Sequence, residues 1–292
     1  MIKYESIKEL VEEAQRANKK ISDLVIEEQA YNLERTPDNL IEEMSHNLKV
    51  MEEAVLAGIK PGIRSASGLS GGDAYKLNEA SKKGILLGGS ILNKAIIKAV
   101  AVAEVNACMG RIVAAPTAGS CGIIPAALLT AKEEKNIDHL LVVKSLFTAA
   151  GFGIVIAKNA SISGAEGGCQ AECGSASAMA AAALVELMGG TPQMSANACA
   201  IALKGVLGLV CDPVGGLVEV PCIKRNAQGV ANAIVASDLA LAGIESVIPA
   251  DEVIEAMKSV GNLMPAALKE TAAGGLASTP TAKRLENTIS YG

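Results

Sequence analysis

The chain has 292 residues and a formal charge of −5; half of it is hydrophobic, yet aromatics make up only 2% and tryptophan is absent. That length suffices for one large core or two modest domains, and the acidic balance leaves no basic stripe for nucleic acid. With so few rings, Ala, Gly, Val, Ile and Leu have to build the interior, which suits closely packed helices better than a β-sandwich of aromatic and β-branched pairs.

Met1 leads into the charged segment Lys3–Glu13, where no apolar stretch of a secretory signal is visible. Ser6 with Glu9 has the spacing of a capping box and opens a helix through Ala17. Thr36 as N-cap and Pro37 at the first helical position start another. Leu40, Ile41, Met44, Leu48, Met51 and Val55 then recur at helical spacing, and Gly58 stands where a C-terminal cap belongs. Residues 1–60 therefore read as an N-terminal amphipathic helical extension, and 61–292 as the main helical domain.

Gly and Ser dominate from Pro61 to Ser90, read as loops around a helix from about Asp73 to Lys83. Helical patterns follow at about 91–109, 123–135, 139–157, 171–188, 193–209, 229–243 and 251–260, and the best short strand candidate is Leu217–Val220. The fold class is mainly α. The positive mean hydropathy, +0.34, raises the question of a membrane. Lys98, Glu104 and Arg111 interrupt Ala95–Ala115, and Lys144 and Lys158 bracket Ser145–Ala157, short of the roughly 20 apolar residues that span a bilayer. These stretches are expected to be buried core helices of a cytoplasmic protein.

Seven cysteines without an export signal point to thiols, metal ligands or a redox role rather than disulfides. No GxxxxGK[ST] occurs, and Gly151–Phe152–Gly153 lacks the rest of a dinucleotide fingerprint. Three other segments carry cysteines at turns rich in Gly or Pro: Pro116–Gly122, Gly164–Gly174, and Cys211–Gly216 continuing to Pro221–Asn226. Exposed N–H groups at such turns favour a thiolate, and glycines leave room for a bulky inorganic group. Cys108 and Cys199 sit inside apolar helical runs and read as structural. Zinc prefers tight CxxC pairs or histidines, whereas His46 and His139, the two histidines present, lie in polar helical surroundings. Thiolates alone suit an iron–sulfur centre better.

The strings SGLSGGDAYKL (Ser67–Leu77), PTAGSCGIIPA (Pro116–Ala126), GAEGGCQAECGSASAMAAAA (Gly164–Ala183) and CDPVGGLVEVPCIKRN (Cys211–Asn226) resemble the α chain of the iron–sulfur L-serine dehydratases, in order and from about Gly62 onward. The resemblance implies a [4Fe–4S] cluster on Cys169, Cys211 and Cys222, so that 61–292 is the iron–sulfur catalytic domain, with Cys173 a near-site or structural thiol and Cys121 in an active-site loop without being a ligand. Because the family also occurs fused to a small α/β domain, it implies a separate β chain as partner in a hetero-oligomer.

The reaction implied is β-elimination of L-serine to pyruvate and ammonia, with an open cluster iron as Lewis acid. Lys76 is the candidate base, on the expectation that burial lowers its pKa. Ser67, Ser70, Thr117 and Ser120 are candidate substrate-binding hydroxyls, although turn and cap chemistry uses the same residues. Glu166 is a candidate for the substrate ammonium or a helix cap, and Lys224 and Arg225 for balancing charge beside Cys222. A related cluster-dependent lyase acting on cysteine and a non-enzymatic cluster- or zinc-binding subunit are the alternatives; no lysine motif supports pyridoxal chemistry.

Overall fold

Hydroxyl caps followed by proline start helices where the sequence places them. Thr36 Oγ1 accepts the Asn39 N–H at 3.3 Å ahead of Pro37, and Thr191 and Thr279 do the same ahead of Pro192 and Pro280. In the computed structural model, which describes residues 4–289, the helices are α1 (Ile7–Ala17), α2 (Ile21–Asn32), α3 (Pro37–Gly58), α4 (Asp73–Lys82), α5 (Gly89–Ala107), α6 (Ile123–Lys135) and α7 (His139–Asn159). A short α8 (Gly164–Gly167) precedes one turn of π-helix (Gln170–Gly174), and α9 (Ser175–Leu187), α10 (Pro192–Lys204), α11 (Cys222–Leu241), α12 (Ala250–Leu263) and α13 (Pro280–Glu286) complete the fold. Among the described residues there is no strand; Leu217–Val220 is part of a turn, and the one β-type pairing is an isolated bridge between Cys211 and Lys269. The fold is mainly α, as the small-residue composition implies.

Helix α9 is the central element. Ala176, Ala178 and Ala180–Ala183 are almost wholly buried, and α6, α7, α10 and α11 pack around it. Alanine at these positions lets four neighbours approach one axis closely, since each lacks a side chain beyond Cβ. Close approach recurs between α3 and α5, where a Cβ on Gly58 would lie 2.2 Å from the Ala101 carbonyl oxygen.

The first three helices share the core of the rest. One buried cluster runs from Tyr4 through Leu24 and Phe152 to Met257. Asp251 at the start of α12 accepts the Ile7 and Lys8 N–H groups at 2.7 and 3.0 Å, supplying the N-terminus of α1 with an anionic cap of about 1 kcal/mol. Glu186 ties α2 down by accepting the Ser22 N–H at 3.2 Å and the Thr148 hydroxyl at 2.7 Å. Residues 1–3, 290–292 and the ends of the two expected spans that include them lie outside the described residues.

The expectation that no segment reaches spanning length is corrected by α7. It starts on the Asp138 cap, continues through Lys144 and Lys158 for 21 residues, and is long and apolar enough to cross a membrane by length and composition alone. Here 67% of its most apolar window is buried inside the protein, and Lys144 pairs with Asp23 at 2.9 Å. Two boundaries also move. Helix α10 stops at Lys204, so 205–210 is an irregular lead into Cys211, whereas α11 begins at Cys222 rather than near 229.

Candidate active site

The π-turn places three potential ligands on one side. Cys169 and Cys173 stand four positions apart, and the Sγ atoms of both together with a Glu172 carboxylate oxygen all lie within 4.8 Å of one another. Such turns are rare and concentrate at functional sites. Gln170, fully buried, fixes the turn: its Nε2 donates to Gly167 O (3.0 Å) and Met257 O (2.9 Å), and its Oε1 accepts the Gly208 N–H (2.9 Å). Its own N–H donates to Leu209 O at 2.9 Å, so the Cys169 turn is bonded directly to the segment that leads into Cys211.

Cys211 is held by backbone on both sides, donating to Leu268 O at 2.9 Å and accepting from the Glu270 N–H at 2.8 Å. Its Sγ faces Gly164, where a Cβ would lie 2.9 Å from it. Cys222 opens α11. One turn on, Arg225 reaches back to the Cys211 segment, with Nη1 on Val210 O and Nη2 on Asp212 Oδ1, each at 2.8 Å. Asn226 binds the third cysteine-bearing loop: Nδ2 donates to Gly119 O at 2.7 Å and Oδ1 accepts the Gly122 N–H at 2.9 Å.

Cys169, Cys211 and Cys222 are electrostatic neighbours. A hydrogen bond from Cys173 and the Arg225 charge pull the Cys169 thiol below its ordinary value against burial. Burial first, then the charge of Cys169, pushes Cys222 up to about 12 and raises Cys211 further, and Cys222 itself adds to the rise at Cys211. Cys173, hydrogen-bonded to Cys169 and buried, is pushed well up. Crowded buried thiols that raise one another are stabilised by a cation, and their softness suits a thiophilic metal, so this cysteine-rich group can bind metal. Cys121 lies apart from this exchange: burial raises it to about 12 and its Sγ points at Val102 O, 3.9 Å away. Cys199 is fully buried and Cys108 half-buried. The two histidines are surface residues bonded to Arg111 and Ser45.

Three of the four candidate hydroxyls, those of Thr117, Ser67 and Ser70, are held by a carboxylate that the sequence did not single out, and Ser120 is held through Thr117. Thr117 donates to Glu172 Oε1 at 2.5 Å and shares a 2.9 Å bond with Ser120, which brings that pair to the π-turn. Gly119 has no room for a side chain there, since its Cβ would lie 2.5 Å from Glu172 Oε1. Ser67 donates to Glu219 Oε1 at 2.7 Å and Ser70 to the other oxygen, so this pair docks on the turn that leads into Cys222, without a bond to the thiols.

Lys76 does not have the expected burial. Its side chain is 74% exposed and pairs with Asp73 at 3.1 Å, while Lys224 takes the other oxygen of that carboxylate at 2.7 Å. The cause is remote in sequence. Glu104, buried in α5, accepts the Asp73 and Ala74 N–H groups at 2.7 and 3.1 Å and turns the Ala74 face inward. Lys76, two residues or about 200° further round the helix, therefore faces out. Replacing Lys76 with Met should leave kcat within about threefold; a larger loss in a steady-state assay would restore it as the base. Glu166 is likewise exposed, accepting from Ser161 at 2.6 Å. A cavity of about 520 Å³ lies against Cys173 and Arg225, with Ser177, Gly205 and Asn232 in its wall.

The fold and the site thus define a helical protein with a buried, cysteine-rich, metal-competent centre flanked by hydroxyl-bearing loops. A family model described as serine dehydratase alpha chain matches residues 16–277, and the chain belongs to that family. It is 54% identical over 286 residues to the probable L-serine dehydratase, alpha chain, of Bacillus subtilis, covering 98% of this chain and 95% of that one. It is 46% identical over 278 residues to the L-serine dehydratase, alpha chain, of Peptoniphilus asaccharolyticus, covering 95% of each. With an L-serine dehydratase of Helicobacter pylori it shares 39% identity over 287 residues, 94% of this chain and 62% of the relative.

Proposed function

We propose that this chain is the catalytic subunit of an L-serine ammonia-lyase, forming pyruvate and ammonia from L-serine with a [4Fe–4S] cluster on Cys169, Cys211 and Cys222. The observation that carries the reading is that Gln170 and Arg225 bond together the three segments bearing those thiols, 42 and 11 residues apart, with Cys169 raising both Cys211 and Cys222. When bound, the cluster supplies an open iron that acts as a Lewis acid on the serine hydroxyl and carboxylate.

The chain's own residues arrange the rest. Arg225 balances thiolate charge and ties two of the thiol segments together. Thr117 and Ser120, fixed through Asn226 and Glu172, present hydroxyls beside the π-turn that orient substrate. Ser67 and Ser70, anchored on Glu219, form a second hydroxyl loop for the same task. Loss of the Cα proton and of the hydroxyl gives aminoacrylate, which tautomerises and takes up water to yield pyruvate and ammonia.

A separate β chain completes the enzyme in this reading. Its support is the name "alpha chain" carried by the Bacillus and Peptoniphilus relatives, beside a longer Helicobacter relative of which this chain covers 62%.

The test is anaerobic iron and sulfide analysis of reconstituted protein, with a serine-to-pyruvate assay run with and without the β chain and with L-cysteine as competing substrate. Iron and sulfide with pyruvate formed from serine are expected, with activity lost in air as the open iron is oxidised. One equivalent of zinc without sulfide would instead make the chain a non-enzymatic metal-binding subunit, and a higher kcat/KM for cysteine would make it a different lyase.

A further inference from the structure

Glu172 stands at the centre of the thiol group, yet among the described residues it forms no ion pair. The nearest cation in electrostatic reach, Arg225, is already used: its two terminal nitrogens bond to Val210 O and to the buried Asp212 carboxylate. Glu270 adds a second carboxylate whose charge is felt at both Glu172 and Cys211. Glu172 and Glu270 therefore face one guanidinium that is already paired with Asp212, and among the described residues no cation is bonded to Glu172. A carboxylate in such surroundings is strongly stabilised by a cation brought to it.

Its fixing is also specific. Thr117 holds one oxygen, Oε1, by a 2.5 Å bond, and the absence of a Cβ on Gly119 leaves the space that the carboxylate occupies. Free L-serine carries one cation, its ammonium, and the reading above assigns its hydroxyl and carboxylate to the metal.

We infer that Glu172 binds the ammonium group of the amino-acid substrate and so makes the site select amino acids over hydroxy acids that lack nitrogen. The inference rests on the serine-lyase reading and deepens it. It moves the ammonium partner from Glu166, which is exposed and bonded to Ser161, to a residue three positions beyond Cys169.

The cluster-loaded enzyme with its β chain provides the test, using L-alanine (ammonium and carboxylate, no leaving group) and 3-hydroxypropanoate (serine without its nitrogen). In Glu172→Gln the KM for L-serine and the Ki and calorimetric Kd for L-alanine should rise about 10- to 100-fold, the loss of one charge-assisted contact. The Ki for 3-hydroxypropanoate should shift less than about twofold, since it makes no such contact, and iron and sulfide per chain should stay unchanged. Glu166→Gln should alter none of these.

Equal weakening of both ligands would make Glu172 merely structural, no weakening would remove it from the site, and loss of iron would make it a ligand; each result overturns the inference. Failure of wild type to bind L-alanine while binding 3-hydroxypropanoate also overturns it. Wild type that binds L-alanine but forms no pyruvate from serine would sink the serine-lyase reading instead, with the calorimetric comparison still reporting on Glu172.

Discussion

Single replacement of Cys169, Cys211 or Cys222 by Ala should remove the cluster iron and sulfide and lower kcat by at least about 100-fold, more than the loss of an outer-shell contact to a metal ligand typically brings. Each supplies one buried sulfur from a different segment. Cys173 is the informative control. It belongs to the same π-turn and is the nearest thiol to Cys169, but it acts as hydrogen-bond donor to that sulfur and is pushed well above the ordinary thiol value. Cys173→Ala should therefore keep the cluster. Cys108→Ala and Cys199→Ala should keep it as well; the second costs about 1 kcal/mol from the small void left in the α10 core. Iron retained in Cys211→Ala and Cys222→Ala but lost in Cys169→Ala and Cys173→Ala would move the ligand set onto the Cys169–Glu172–Cys173 group, and iron retained in Cys169→Ala would remove that sulfur from the set. Iron and acid-labile sulfide per chain, measured anaerobically, decide it.

What the sequence disclosed and what it hid divide along a physical line. Thr–Pro pairs announced α3, and the Ala-rich run after Cys173 announced α9, because caps and small-residue runs act locally. The cysteines at glycine-rich turns were legible for the same reason, a thiol at a helix end being a local pattern. Helix α2 was not legible: Lys20 gives no side-chain cap, and Ile21, Leu24, Val25 and Ile26 are buried on more than one face, so no single stripe forms. The π-turn has no residue code, since one backbone hydrogen bond shifted by one residue makes it.

Charge misled most. Asp212, Glu104, Glu219 and Arg225 belong to residue types that are seldom fully buried, yet all four are buried, each satisfied by partners distant in sequence. Glu104 caps a helix 31 residues away, and the outward turn of Lys76 follows from it. Side-chain burial of this kind is a tertiary result, and no window of sequence contains it.

The Arg225–Asp212 pair should be the most costly polar contact to break. Arg225 is 9% and Asp212 3% exposed, so water contributes little to either charge once the partner is gone. In Arg225→Met the Asp212 carboxylate would keep one donor, the Leu276 N–H at 2.7 Å, and Val210 O would lose its Nη1 donor. A buried carboxylate left that way typically costs about 3–5 kcal/mol. Arg225→Lys should recover only part of this, because one ammonium does not span Val210 O and Asp212 as the planar fork does. Arg225→Met with Asp212→Leu should be more stable than Arg225→Met alone, since the stranded charge is then absent. Urea unfolding of the metal-free chain measures all three. The Val210–Asp212 segment carries Cys211, so the same variants should retain less iron after reconstitution in the same order. Were Arg225→Met within about 1 kcal/mol of wild type, an ordinary surface-substitution effect, the pair would be no anchor for that segment, and Gln170 with the Leu268 and Glu270 backbone bonds would have to hold Cys211 in place by themselves.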